Sequence, residues 1–299
     1  FLLTVAQGLI LVITPPIAGR IGDQFRVKNG HRLPIITLGI SFAAMVFMAV
    51  AFTLFTNPGP IFKWILPVLI VLWLVSMSIF TSPALSTIEL FTPVDRLPNA
   101  MALLTIVGNL LYALEPVIVD IIDYLGAPLT FISGGLVVFL SGYFLRENSL
   151  GLFSQQGAEA AVKKETGTSS HKPFIFLMGM GMGLATSVMF NLFPSVFSRT
   201  FGIDGKLVVV MILVLTAILS IPLSNLINTM GLKRAFYRGM IIILLCMISI
   251  LTASTMPVVV VLTFVFAVMY TVISVSTLPL AIQLSGYNEK VFCVGIFFS

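Results

Sequence analysis

A carboxylate inside an apolar run is the group in this chain best placed to do chemistry. Glu115 falls within the apolar run 99–123, beside Pro116. That is about 24 Å along a helix from Asn99 at a rise of ~1.5 Å per residue. An ionisable group at such a depth in a bilayer costs on the order of 2.5–3.5 kcal/mol and normally faces protein or a water-filled cavity. At about 100° per residue, Thr105, Asn109, Tyr112, Asp120 and Asp123 share an arc of roughly 80°, with Glu115 about 60° beyond Tyr112. The helix therefore has one wet, acidic side. A carboxyl whose pKa is raised by burial can take up and release a proton. Glu115, Asn109 and Tyr112 are accordingly candidates for proton coupling or for contact with a polar solute. The competing reading pairs Glu115 with a polar residue of an adjacent helix, and Asp120 and Asp123 read as interfacial.

A second constellation sets one acid among four bases. Asp23 closes the first apolar run beside Arg20, Arg26, Lys28 and Arg32. The simplest reading is a solvated charge balanced by its neighbours. Gln7, Asn191, Asn225, Asn228 and Gln283 lie in other apolar runs, where each can bond a solute hydroxyl or a neighbouring helix. Glu89 ends an apolar helix and is expected to join Asp95 and Arg96 in a polar network. Tyr270, Phe264 and Phe266 offer faces for ring stacking or for packing. No His/Cys/acid cluster has metal spacing, and no phosphate-binding loop or nucleophile elbow occurs. No enzyme chemistry, metal or cofactor is expected.

The elements that carry these residues follow from composition. Of 299 residues 58% are apolar and only 9% charged, against about 25% charged in soluble domains; the mean hydropathy is +1.11. This excludes a soluble enzyme, a nucleic-acid-binding domain and a disordered chain. Apolar runs at 1–19, 35–55, 64–88, 99–123, 125–145, 174–197, 207–229, 239–254 and 257–284 predict nine spanning helices, and a tenth begins near 291. The run 239–254 is short for a crossing. Thirteen of the 16 Lys and Arg residues fall in alternate loops and three in the opposite ones, so the basic set is expected to be cytoplasmic. The polar stretch 146–172, which contains His171, reads as a cytoplasmic linker between a bundle at 1–145 and a bundle at 173–299. Cys246 and Cys293 lie in apolar runs and predict no disulfide. With apolar sequence at both ends, the chain reads as an internal fragment.

The two halves echo one another. Pro16-Ile-Ala-Gly-Arg-Ile-Gly-Asp-Gln-Phe-Arg-Val-Lys ends the first run, and Pro222-Leu-Ser-Asn-Leu-Ile-Asn-Thr-Met-Gly-Leu-Lys-Arg ends the seventh. Parallel repeats of this kind underlie two-bundle transporters. The stretch Gly19-Arg20-Ile21-Gly22-Asp23-Gln24-Phe25-Arg26-Val27-Lys28 resembles the motif between helices 2 and 3 of the major facilitator superfamily. Its continuation, Asn29-Gly30-His31-Arg32-Leu33-Pro34-Ile35, is similar to the ending seen in sucrose-type and glycoside–pentoside–hexuronide cation symporters. Gln24, Arg26, His31 and Leu33 depart from that pattern, and Thr229 replaces the aspartate in the second copy. Glu115 stands where proton antiporters of this superfamily carry a glycine before the proline, which argues against drug/proton antiport.

The resemblance implies an all-α polytopic membrane protein of the two-bundle type, covering about helices 2 to 11 of 12. It implies a secondary active transporter of a small solute in a plasma or inner membrane, working as a monomeric unit, with a proton or cation as coupling partner in sugar symport. It also implies that Asp23, with Arg20, Arg26, Lys28 and Arg32, is a latch on the cytoplasmic side. The alternatives are export of another small organic solute, or a non-transporting member of the fold that delivers a cofactor or pigment. The topology has a direct check. A cysteine placed at Ser154 as the sole cysteine is expected to resist an impermeant maleimide added outside intact cells; ready labelling from outside reverses the orientation.

Overall fold

A computed structural model describes residues 2–29, 32–56, 59–160, 170–253 and 255–299. Among these no strand occurs. The helices before residue 127 are α1 (Leu2–Asn29), α2 (Leu33–Thr56), α3 (Phe62–Ser86), α4 (Ile88–Phe91), α5 (Leu97–Ala113) and α6 (Glu115–Leu125). After them come α7 (Ala127–Ala160), α8 (Lys172–Phe201), α9 (Gly205–Met230), α10 (Leu232–Thr252), α11 (Met256–Gln283) and α12 (Lys290–Phe297). Within α2, α3 and α7 to α11 lie seven spans long and apolar enough to cross a membrane. Leu97–Ala113 and Val117–Leu125 form a further candidate span, bent by 58°.

Each expected run is largely helical among its described residues. Against the nine spans expected, seven or, with the bent pair, eight are long and apolar enough, and most differences lie at the ends. The first helix continues through the Gly19–Lys28 motif to Asn29, so the motif expected as a loop is helical. Arg26 and Lys28 occupy its last turn, where cations offset the negative end of the helix dipole. The short run expected at 239–254 begins earlier, at Leu232, and makes a full 21-residue helix. Gly231 permits this: at φ 87° it ends α9 and starts α10 with no loop between them. The expected linker is helical over 146–160 as a continuation of α7, because Asn148 to Ala160 contains no proline to stop it. Positions 161–169 lie outside the described residues, as does His31.

The helix expected over 99–123 breaks at Leu114. A proline has no N–H and crowds the carbonyl four residues back, and Pro116 sits just beyond that point. The turn keeps two bonds, Leu114 N to Leu110 O at 3.1 Å and Ile118 N to Leu114 O at 2.9 Å.

Contacts gather the chain into two compact units. One comprises Phe1–Phe91, Val119–Phe176 and Leu284–Ser299; the other comprises Thr92–Ile118 and Leu177–Gln283. Each draws on sequence from both sides of 146–172, a different division from the halves 1–145 and 173–299. In the first unit α2 packs on α3 and α7, and α1 packs on α3 and α12. Ile35, Ile36 and Ile40 fill a core against Phe25, Ile79 and Phe80. In the second, α9 and α11 pack together and both meet α5 and α10. Its core joins Met189 and Phe193 of α8 to Ile212 of α9, Ile243 of α10 and Phe266 of α11.

The α1–α12 contact is backbone on backbone. A Cβ on Gly19 would overlap the Val291 carbonyl oxygen and lie 2.7 Å from Phe292 Cα. One on Gly295 would overlap the Pro15 carbonyl oxygen and lie 2.8 Å from Pro16 Cα. Only small residues permit such an approach between helices. Gly19→Ala is therefore expected to cost stability on the order of the 1–3 kcal/mol of overpacking, read as a lower melting temperature of the purified protein. Gly8→Ala, on the same helix with nothing within 4 Å, is the control, and equal melting temperatures for the two would contradict the close approach.

Candidate latch at the start of α12

The backbone contact at Gly19 fixes where the next turn of α1 points. Asp23, four residues on, lies on the same face about one turn along, and its carboxylate reaches the first turn of α12. Val291 N donates to Oδ1 at 3.2 Å and Phe292 N donates to Oδ2 at 2.9 Å. The first amides of a helix have no partner within it, and the positive end of the helix favours an anion. Glu289, at the N-cap position of α12, makes no side-chain cap of its own. The carboxylate of α1 supplies that cap from another helix.

Asp23 is only 6% exposed. Burial disfavours its charged form, and outweighs the two amide bonds and the positive charges of Arg32 and Arg26. The carboxyl is pushed up to about 6. Arg32 is more deeply buried, at 1%. Its Nη1 donates to Ser86 Oγ at 2.9 Å and to Ser86 O at 3.3 Å, and its Nη2 lies 3.5 Å from Glu89 Oε1. Lys290 Nζ closes the set at 2.5 Å from Glu89 Oε2. Burial pulls the Arg32 guanidinium down and the Glu89 charge pulls it back. Glu89 thus joins Arg32, just before α2, to the first residue of α12. Beside this network lies a cleft of about 470 Å³, whose walls include Arg20, Asp23, Gln24, Lys172, Glu289 and Phe292.

Of the five residues expected here, Asp23 and Arg32 are buried in the network. Arg26, half-buried, acts on Asp23 through its charge. Arg20 is exposed on the cleft wall, and Lys28 is exposed at the end of α1. Glu89 has Arg32 and Lys290 as partners, and Asp95 and Arg96 are exposed. The fold brings residues 32, 89 and 290 together, which spacing does not reveal. In the sequence Lys290 is only one of the thirteen basic loop residues; its position at the start of an apolar run is the signal it carries.

Gln7 lies half-buried on α1 in the first unit, and Asn109, Tyr112, Glu115, Asn191 and Gln283 lie in the second. Glu115 is exposed at the break between α5, which carries Asn109 and Tyr112, and α6. Asn109 is half-buried, and its Nδ2 is buried without a hydrogen-bond partner among the described residues. Tyr112 is exposed, its ring 6.1 Å from that of Phe190. Asn191 is exposed and donates back to Ser187 O of its own helix at 2.9 Å. Gln283 is exposed at the end of α11. Asn225 and Asn228 bond another helix: Asn228 Nδ2 donates to Asn99 Oδ1 at 2.6 Å, and Asn99 Nδ2 donates to Asn225 Oδ1 at 3.4 Å. Tyr270 is buried, its hydroxyl 3.0 Å from Thr186 Oγ1 and its ring stacked on Phe266. Among the described residues no group of three His, Cys, Asp or Glu side chains is placed to hold a metal ion.

Compared with known families, residues 2–299 match the profile of the Major Facilitator Superfamily. None of the curated proteins compared with the chain matches it.

The raised Asp23 carboxyl gives the contact a pH dependence. With α1 and α12 together the group titrates near 6, against 3.8 for an ordinary aspartate. The proton therefore binds preferentially to the closed contact. Its stabilisation is complete below the ordinary value and is lost as pH rises through about 6. Glu289, on the cleft wall, is held below its ordinary value, so it titrates outside this window. Val294 is fully buried on α12; as Val294→Cys in a chain lacking both native cysteines, it reports opening. Its alkylation, normalised to a free thiol, is expected to slow as pH falls from neutral to about 5, and Asp23→Ala should flatten the profile. A flat profile with Asp23 in place would contradict the assignment.

Proposed function

The chain belongs to the major facilitator superfamily, and from that premise we propose that it moves a small organic solute by alternating access, with Asp23 as the latch. It is an integral, multi-pass membrane protein of a transporter family. The observation that carries the proposal is the pair of bonds from the first amides of α12 to a buried carboxylate of α1. Alternating access needs contacts that join the two halves on one side and then part. The Asp23–α12 contact joins a helix before the segment 146–172 to one after it, and so does Asn99 with Asn225 and Asn228. The halves 1–145 and 173–299 are the bodies that move, as a monomeric unit. The basic loops and 146–172 face the cytoplasm, across a plasma or inner membrane.

Sugar symport rests on the resemblance of Asn29–Ile35, and proton coupling on the sequence position of Glu115. Export of another small solute and cofactor delivery without transport are the outcomes against which it is tested.

The experiment is solute uptake into proteoliposomes, screened over sugars and other small organic solutes. Net uptake of one class is expected in the wild type. Asp23→Asn offers one acceptor for two amides, and Asp23→Ala offers none. Without an acceptor each buried amide costs about 1–3 kcal/mol, so Asp23→Ala should cut the rate at least about tenfold. Asp23→Asn, neutral like the protonated acid, gains no charge that favours opening and should slow the cycle too, both with insertion unchanged. Wild-type rates in both variants would remove Asp23 from the mechanism. For coupling, Glu115→Gln is expected to abolish uptake driven by a pH gradient while counterflow of labelled solute survives. Surviving uphill uptake would end that role for Glu115.

A further inference from the structure

The last residues of the polar segment 146–172 are stitched to the turn that leads into α12. Ser170 Oγ donates to Glu289 Oε2 at 2.8 Å and accepts from Gly286 N at 2.9 Å. Lys172 Nζ lies 2.9 Å from Glu289 Oε1. His171 N donates to Leu284 O at 3.3 Å. Three consecutive residues thus meet 284–289 through side chains and backbone alike. Lys172 Nζ also stands 5.3 Å from the centroid of the Phe292 ring, and Phe292 N is one of the two donors to Asp23.

We infer that Ser170, Lys172 and Glu289 form a second clamp that positions the first turn of α12 for Asp23. The end of the segment 146–172 thereby sets how firmly α1 and α12 hold together. The inference rests on the reading of that contact as the latch. Glu289 is the key positioning residue. It occupies the N-cap of α12, yet its carboxylate turns to residues 170 and 172 and not back to its own helix. The next residue, Lys290, reaches Glu89, and the two after it donate to Asp23. The direction of Glu289 therefore fixes the start of the turn whose amides the latch requires. Ion pairs this exposed, with side chains 41% and 44% accessible, are individually weak. The clamp accordingly tunes the contact and does not create it. The bonds from Lys172 and Ser170 hold the Glu289 carboxyl below its ordinary range. It stays ionised at neutral pH, and the clamp fails only in acid, as pH falls through that lowered value.

The test uses the full chain in nanodiscs with Val294→Cys as the sole cysteine, at neutral pH. Glu289→Gln and Ser170→Ala are each expected to raise its alkylation rate several-fold, and less than Asp23→Ala does. The exchanged pair Lys172→Glu with Glu289→Lys is expected to bring the rate back toward the parent. Unchanged rates in both single variants, with Asp23→Ala still fast, would overturn the clamp and leave the latch standing. An exchanged pair no slower than Glu289→Gln would overturn it as well, because attraction between 172 and 289 would then not be the cause. An unchanged rate in Asp23→Ala would remove the latch and the clamp together.

Discussion

α12, like any helix, begins with amide groups that nothing in the helix can satisfy. Buried without acceptors, each costs about 1–3 kcal/mol. The rest of the first unit is arranged around that need. Gly19 and Gly295 bring two backbones into contact, Asp23 supplies the acceptor one turn further on, and Arg32 and Arg26 lend positive charge to the buried acid. Remove the acceptor and the glycine contact loses its purpose.

The same arrangement limits its own strength. Two amide bonds and the helix end favour the carboxylate, but burial disfavours it more. An ionised Asp23 is thus held less firmly than its contacts alone imply. Arg32, Glu89 and Lys290 share the compromise, since buried ion pairs return little of the hydration they lose. Removing one member strands the others. A contact specific in geometry and modest in net energy is one that a working cycle can both make and break.

The sequence carried the helical class, the nine apolar runs and the acid-among-bases motif, because apolar length and charge are local properties. It also marked Asp23 and Arg32. It did not carry partners. Glu89 meets Arg32 and Lys290 across separations of 57 and 201 positions, and only the packing of α1, α3 and α12 brings them together. The break at Leu114 was half legible: Pro116 announced a bend, but not its size of 58°. Gly231 hid the start of α10 because a single left-handed residue replaced the expected loop. Ser170 and Lys172 read as linker residues, and nothing in their spacing pointed to Glu289.

The central claim is that the Asp23 carboxylate holds the first amides of α12. Hydrogen–deuterium exchange of the peptide covering Val291 and Phe292, in nanodiscs, addresses it without a substrate. The account predicts protection in the wild type and faster exchange at these two amides in Asp23→Ala, with the cores of α2 and α11 unchanged. Equal protection in the two proteins would contradict it.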